Sequence, residues 1–131
     1  MNNRRILVVD DEPDILLVLK QRLMQAGFSV LVAATGPEAL EVARKEVPDL
    51  IILDLMLPGI DGYQICGILK HDRRYMKIPI IILTARSQKK DYELGISVGA
   101  DAYLTKPFDS EVLLAKVYEL LGEKAPVPKE D

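Results

Sequence analysis

The sequence predicts a single α/β domain of the doubly wound kind, a five-stranded parallel sheet flanked by five helices. Three observations predict it. Five short apolar runs alternate with five segments of helical period. The runs ILVV, LIIL and IPIIIL are continuous rather than alternating, the pattern of strands buried on both faces of a parallel sheet. The connections are short, so each βα unit closes with a right-handed crossover and helices fall on both sides of the sheet.

Taken in order, the first strand is read at Arg5–Val9 and the first helix at Pro13–Ala26, with proline in its opening turn and Gly27 ending it. On this helix Ile15, Val18, Leu19, Leu23 and Ala26 form the core-facing set, leaving Leu16, Leu17 and Met24 partly exposed. Ser29–Ala33 is the second strand. Thr35 or Gly36, standing before Pro37, opens a helix at Pro37–Glu46. Leu50–Leu53 is the third strand, followed by a loop shaped by Pro58, Gly59 and Gly62, and by a helix at Tyr63–His71. The fourth strand is read at Ile78–Leu83, the fourth helix at Gln88–Ser97 and the fifth strand at Ala102–Leu104. Asp109 or Ser110, with Glu111, starts the last helix at Ser110–Leu121, and Gly122 stops it. The domain thus spans residues 1–122. The polar tail 123–131, with two prolines, reads as a linker or frayed terminus.

Composition narrows the function classes. A chain of 131 residues, 49% hydrophobic and 28% charged, has the profile of an ordinary globular domain. A net charge of −3 gives no general attraction to nucleic acid or anionic membrane. No recognition helix or basic stripe is visible, so DNA binding by this domain is not expected. Cys66 is the only cysteine, which excludes an internal disulfide and suits a reducing compartment. No apolar run reaches the ~18 residues of a membrane span, and the N-terminus lacks a signal peptide's apolar segment. A cytoplasmic location is expected. His71, Arg73, Arg74 and Lys77 read as solvated loop or helix-end residues, and Cys66 as a small packing residue.

The chemistry lies at the carboxyl ends of the strands, where such sheets gather functional groups. Asp10 and Asp11 end the first strand, Asp54 the third, Thr84 and Ala85 the fourth, and Thr105-Lys106-Pro107 the fifth. With the first and third strands adjacent, three carboxylates, a hydroxyl and an ammonium converge. Carboxylates ~4 Å apart repel by about 4 kcal/mol per pair at an effective dielectric of ~20. Lys106 and one divalent cation together cancel the three negative charges. Hard oxygen ligands with room for water suit Mg²⁺ first and Mn²⁺ next, and no Cys/His cluster offers a zinc site. An ionised Asp54 in that setting is a nucleophile able to attack phosphorus and form an aspartyl phosphate. The cation and Lys106 would stabilise the oxygens of the transferring group.

The stretches ILVVDDEPD, LIILDLMLPGIDGY, IPIIILTA and GADAYLTKPF, in this order, resemble the receiver domain of two-component response regulators, the CheY-like domains. The resemblance runs from about Arg5 to Leu121. It implies a flavodoxin-like sheet with strand order 2-1-3-4-5. It also implies that Asp54 takes a phosphoryl group from a phosphohistidine on a histidine kinase or histidine phosphotransfer protein. Asp11, Asp54 and the Met56 backbone carbonyl would bind Mg²⁺, with Asp10 acting largely through water. Thr84 and Lys106 would hold the phosphoryl oxygens, and Lys106–Pro107 would be cis. Thr84 and Tyr103 would form the switch, altering a surface made of the fourth helix, fifth strand and fifth helix. Leu16, Leu17 and Met24 are candidates for a docking patch for the kinase or phosphotransfer bundle.

On this reading the chain is a switch rather than a turnover enzyme, with slow self-dephosphorylation. Its output is a downstream protein target or a covalently linked output domain, and both monomer and phosphorylation-dependent dimer stay open. The alternative is a Mg²⁺-dependent phosphohydrolase with an aspartyl nucleophile. That chemistry needs an acid two residues after the nucleophile. Met56 holds the place and cannot move a proton.

Overall fold

Ile6, Leu7, Val8 and Val9 are at most 1% exposed because strand β1 (Arg5–Val9) runs through the middle of the sheet. The computed structural model describes residues 4–123. β1 pairs in parallel with β2 (Ser29–Ala33) on one side and β3 (Leu50–Leu53) on the other. Beyond β3 follow β4 (Ile80–Thr84) and β5 (Ala102–Thr105), also parallel. The order β2-β1-β3-β4-β5 is the one the resemblance implied.

Alternate side chains of each strand enter opposite layers. Leu7, Val9, Ile51, Leu53, Ile80 and Ile82 pack against α2 (Gly36–Glu46) and α3 (Gly62–Lys70). Ile6, Val8, Leu50, Ile52, Ile81 and Leu83 pack against α1 (Pro13–Gln25) and α5 (Ser110–Leu121). α4 (Lys89–Ser97) lies along β5. Each fully buried Leu or Ile contributes about 1.5–3 kcal/mol, so β1, β3 and β4 form a stiff slab that fixes the loops at their carboxyl ends. Helix starts are pinned as the sequence suggests: the Thr35 hydroxyl accepts from Glu38 N–H, and the Asp109 carboxylate accepts from Glu111 and Val112 N–H. Asp61 and Gln64 add a capping box at α3.

Two of these expectations change. β4 starts at Ile80, not Ile78, because Ile78 N–H closes a turn onto the Tyr75 carbonyl and Pro79 has no N–H to give. Val18 is 43% exposed rather than core-facing. The buried stripe of α1 is Leu19 and Leu23, and one residue back along a helix turns a side chain ~100° away from it. Leu16 is partly exposed, as expected, with part of its side chain packed on the core, and Leu17 and Met24 are exposed. Apart from Glu123, the tail expected at 123–131 lies outside the described residues. The Glu123 carboxylate accepts from Arg4 Nε at 3.1 Å.

Val47 caps the end of α2 in the left-handed region, with φ of 44°. A β-branched residue is strained there, and its side chain is 49% exposed.

Candidate functional site

Register brings the acids together. Val9 of β1 lies opposite Leu53 of β3, and Asp54 N–H donates to the Val9 carbonyl at 3.0 Å. Asp10 N–H donates to the Ala33 carbonyl at 3.1 Å. Both carboxylates therefore leave neighbouring strand ends, and both are buried, at 2% and 4% exposure. On the other side Thr84 pairs with Thr105, and Lys106 N–H donates to the Thr84 carbonyl at 2.8 Å. The Lys106–Pro107 peptide is cis, as the resemblance implied.

The Lys106 ammonium donates to Asp10 Oδ2 at 2.6 Å, Asp54 Oδ2 at 2.9 Å and Glu12 Oε1 at 3.1 Å. Such charge-assisted bonds are about twice as strong as neutral ones. The second oxygens are also satisfied: Asp10 Oδ1 accepts from Glu12 N–H at 2.9 Å, and Asp54 Oδ1 from Met56 N–H at 3.1 Å. Burial by itself lowers the Lys106 pKa, but the hydrogen bonds to Asp10 and Asp54 outweigh it and hold the group well above the usual lysine range. For Asp10, burial raises the pKa and the hydrogen bonds from Lys106 and Glu12 N–H only partly offset it.

Asp10, Asp11, Glu12 and Asp54 can each bring a carboxylate oxygen within 4.8 Å of the others. Asp11 and Glu12 are exposed, so the group opens to solvent on one side. It contains only hard oxygen donors, which fits Mg²⁺ or Mn²⁺ with water completing the shell. Glu12 went unread as a site residue. It stands at the N-cap of α1 without making a capping hydrogen bond, and its carboxylate turns to Lys106 instead. The run Asp10-Asp11-Glu12 was the available signal. With this fourth acid, one ammonium and one divalent cation leave the cluster one charge negative rather than neutral.

Thr84 is fully buried, and its Oγ1 accepts from Arg86 N–H at 3.4 Å. The Arg86 carbonyl accepts from the Tyr103 hydroxyl at 2.8 Å. The backbone of Arg86 thus stands between Thr84 and Tyr103. The Tyr103 ring packs edge-on to Tyr92, with centroids 5.7 Å apart, and lies against Gly95, where a Cβ would come within 2.9 Å of it. Ala85 is exposed, and the Met56 side chain is 53% exposed.

The response regulator receiver domain profile matches residues 6–118 of this sequence. The chain belongs to the receiver domain family. The receiver is 44% identical over 119 residues to the alkaline phosphatase synthesis transcriptional regulatory protein PhoP of Bacillus subtilis (strain 168), covering 91% of this chain and 49% of that protein. It is 44% identical over 125 residues to the DNA-binding dual master transcriptional regulator RpaA of a Synechocystis strain, covering 95% and 52%. The chain spans about half the length of the curated relatives it matches. Among solved structures, a response regulator from Chloroflexus aurantiacus superposes with a TM-score of 0.88 at 36% identity, covering 93% of this chain and 100% of that one. A CheY-like receiver from Methanospirillum hungatei gives 0.86 at 32%, covering 92% and 95%. Receiver domains are signalling domains that bind Mg²⁺ at an acidic pocket, and this receiver has the acidic cluster. Among the described residues no helix is long and apolar enough to cross a membrane.

Proposed function

We propose that this receiver takes a phosphoryl group onto Asp54 from the phosphohistidine of a histidine kinase or histidine phosphotransfer protein, and that the modification switches a partner-binding surface. The convergence of Lys106 with Asp10 and Asp54 inside 3 Å, in a cluster suited to a divalent cation, carries the reading. An Asp54 oxygen attacks phosphorus, the P–N bond breaks, and the imidazole leaves and takes up a proton. Lys106 faces the arriving phosphoryl oxygens and offsets their charge. Asp11, Asp54 and the Met56 carbonyl, with Asp10 through water, would hold Mg²⁺. When bound, that ion supplies further positive charge beside the phosphoryl oxygens.

Thr84 is the second phosphoryl contact. Its hydroxyl, now on Arg86 N–H, can donate to a phosphoryl oxygen, and that exchange pulls on the segment whose carbonyl holds Tyr103. A few kcal/mol of differential interaction is enough to shift such an equilibrium. Met56 offers no group to activate water, so loss of the phosphoryl group is slow, and the phosphohydrolase alternative lacks its general acid/base. The output is a downstream protein target or a covalently linked output domain. The names of the relatives, transcriptional regulators about twice this length, support the linked form, with DNA contact made outside the receiver.

The test is incubation with Mg²⁺ and a small acyl phosphate, followed by intact-mass spectrometry of wild type and Asp54→Asn. A one-phosphate adduct on wild type alone is expected. No adduct on wild type, or equal adducts on both, overturns the assignment.

A further inference from the structure

Gly62, the first residue of α3, rests on the phosphoacceptor's own backbone. A Cβ there would lie 2.5 Å from the Asp54 carbonyl oxygen and 2.7 Å from Leu55 Cα. Gly62 N–H donates to the Leu55 carbonyl at 3.0 Å. No compressible side chain separates the start of α3 from residues 54 and 55, so a shift in one is passed to the other. The next residue, Tyr63, reaches across to α4. Its hydroxyl donates to the Asp91 carbonyl at 3.0 Å and lies 3.4 Å from Asp91 Oδ1.

Asp91 sits in the first turn of α4 and is 9% exposed. Its Oδ2 accepts from Gln88 N–H at 3.3 Å, and its Oδ1 lies 3.9 Å from the Arg86 guanidinium. The Arg86 carbonyl in turn holds the Tyr103 hydroxyl. Tyr63, Asp91, Arg86 and Tyr103 therefore form one polar chain from α3, through the β4–α4 connection, to β5. Burial and then the Asp91 charge push the Tyr63 phenol up, and burial does the same to Tyr103, so both stay hydroxyl donors.

Taking Asp54 as the phosphoacceptor, as proposed above, we infer that Tyr63 is a positioning residue that carries displacement of the Asp54 backbone into the first turn of α4. This route runs beside the one through Thr84. Thr84 senses the phosphoryl group through its hydroxyl, whereas Tyr63 senses the backbone behind the modified carboxylate. The hydroxyl makes the link, because a phenylalanine ring would pack in the same half-buried space without it. Cutting this route weakens coupling and leaves the chemistry at Asp54 untouched.

The test compares the 131-residue wild-type chain and Tyr63→Phe in two measurements. One is adduct formation with a small acyl phosphate and Mg²⁺, by mass spectrometry. The other is the NMR amide response of residues 85–91 to beryllofluoride and Mg²⁺. Tyr63→Phe is expected to form the adduct at the wild-type rate while its amide response falls to about half, since Thr84 still acts. A purely structural role for Tyr63 would lower the melting temperature and leave the response whole. A full response with normal adduct formation overturns the inference and leaves the Asp54 assignment standing. Failure of wild type to form the adduct overturns that assignment, and this inference with it. Should Tyr63→Phe fail to fold, Tyr63→Met removes the same hydroxyl while keeping an apolar side chain on α3. An undiminished amide response of residues 85–91 in that variant overturns the inference.

Discussion

Lys106 Nζ lies 2.6 Å from Asp10 Oδ2, closer than the 2.9 Å that separates it from Asp54 Oδ2. The ammonium lies nearest the neighbour of Asp54, so it is anchored independently of the proposed phosphoacceptor. Asp10 is also the deeper of the two acids, at 2% exposure against 4%.

Lys106→Met should destabilise the domain, because it leaves Asp10 and Asp54 buried without their cation. Removing one partner of a buried ion pair costs about 3 kcal/mol. Denaturant unfolding near neutral pH without Mg²⁺ should read that loss, and added Mg²⁺ should restore part of it. An unchanged midpoint would mean that Lys106 does not neutralise the acids.

Asp10 gives a pH dependence of a particular sign. Its folded pKa is raised, so the native state binds a proton more tightly than the unfolded chain does. Its charge therefore opposes folding at neutral pH, and that penalty fades as pH falls through the raised native value toward the unfolded one. Asp10→Asn should be more stable than wild type near neutral pH, with the gap narrowing on mild acidification. Parallel stability-versus-pH curves for the two proteins would refute the assignment.

Divalent cation should stabilise wild type through the acidic cluster. A ligand at roughly one hundred times its Kd adds about 2.7 kcal/mol. Asp11 is an exposed acid of the group and, unlike Glu12, one expected to hold the cation, so Asp11→Ala should fold normally and lose most of the gain. Thermal melts with Mg²⁺ and with chelator make the comparison; an equal gain in both proteins removes Asp11 from the site.

The strained cap at Val47 offers a stabilising change. Left-handed backbone at a β-branched residue costs about 1–3 kcal/mol, and asparagine tolerates it better. Val47→Asn should gain about 1 kcal/mol, read as a rise of ~4 °C in Tm. The side chain is half exposed, so little packing is lost. A lower Tm would show that Val47 contributes more contact than strain.

What the sequence makes legible here is what depends on local pattern. β1 and β3 match their predicted bounds because burial on both faces writes continuous apolar runs. Ile78 misleads for the same reason: it is apolar and buried, yet belongs to the turn before Pro79. Asp10, Asp54 and Lys106 are legible because a parallel sheet gathers strand ends. Glu12 is harder, since an acid before a helix proline reads as a cap, and only the position of Lys106 reveals its other partner. Tyr63 and Asp91 are 28 residues apart and share no periodic signal, so their contact appears only in three dimensions. The same holds for Asp101, which follows Gly-Ala in sequence. In the fold it binds Lys70 at 2.7 Å and accepts from Ile80 N–H at 2.8 Å, at the start of β4.

The tie between Arg4 and Glu123 sits where the strands begin, and the acids sit where they end. A five-residue strand measures about 17 Å, so Glu123 lies at the opposite pole of the molecule from the acids. A module tethered beyond Glu123 would have its root out of reach of a phosphoryl group on Asp54. On the proposed function, a signal from Asp54 would reach such a module along the flank of the sheet, as a change in what its lateral helices dock.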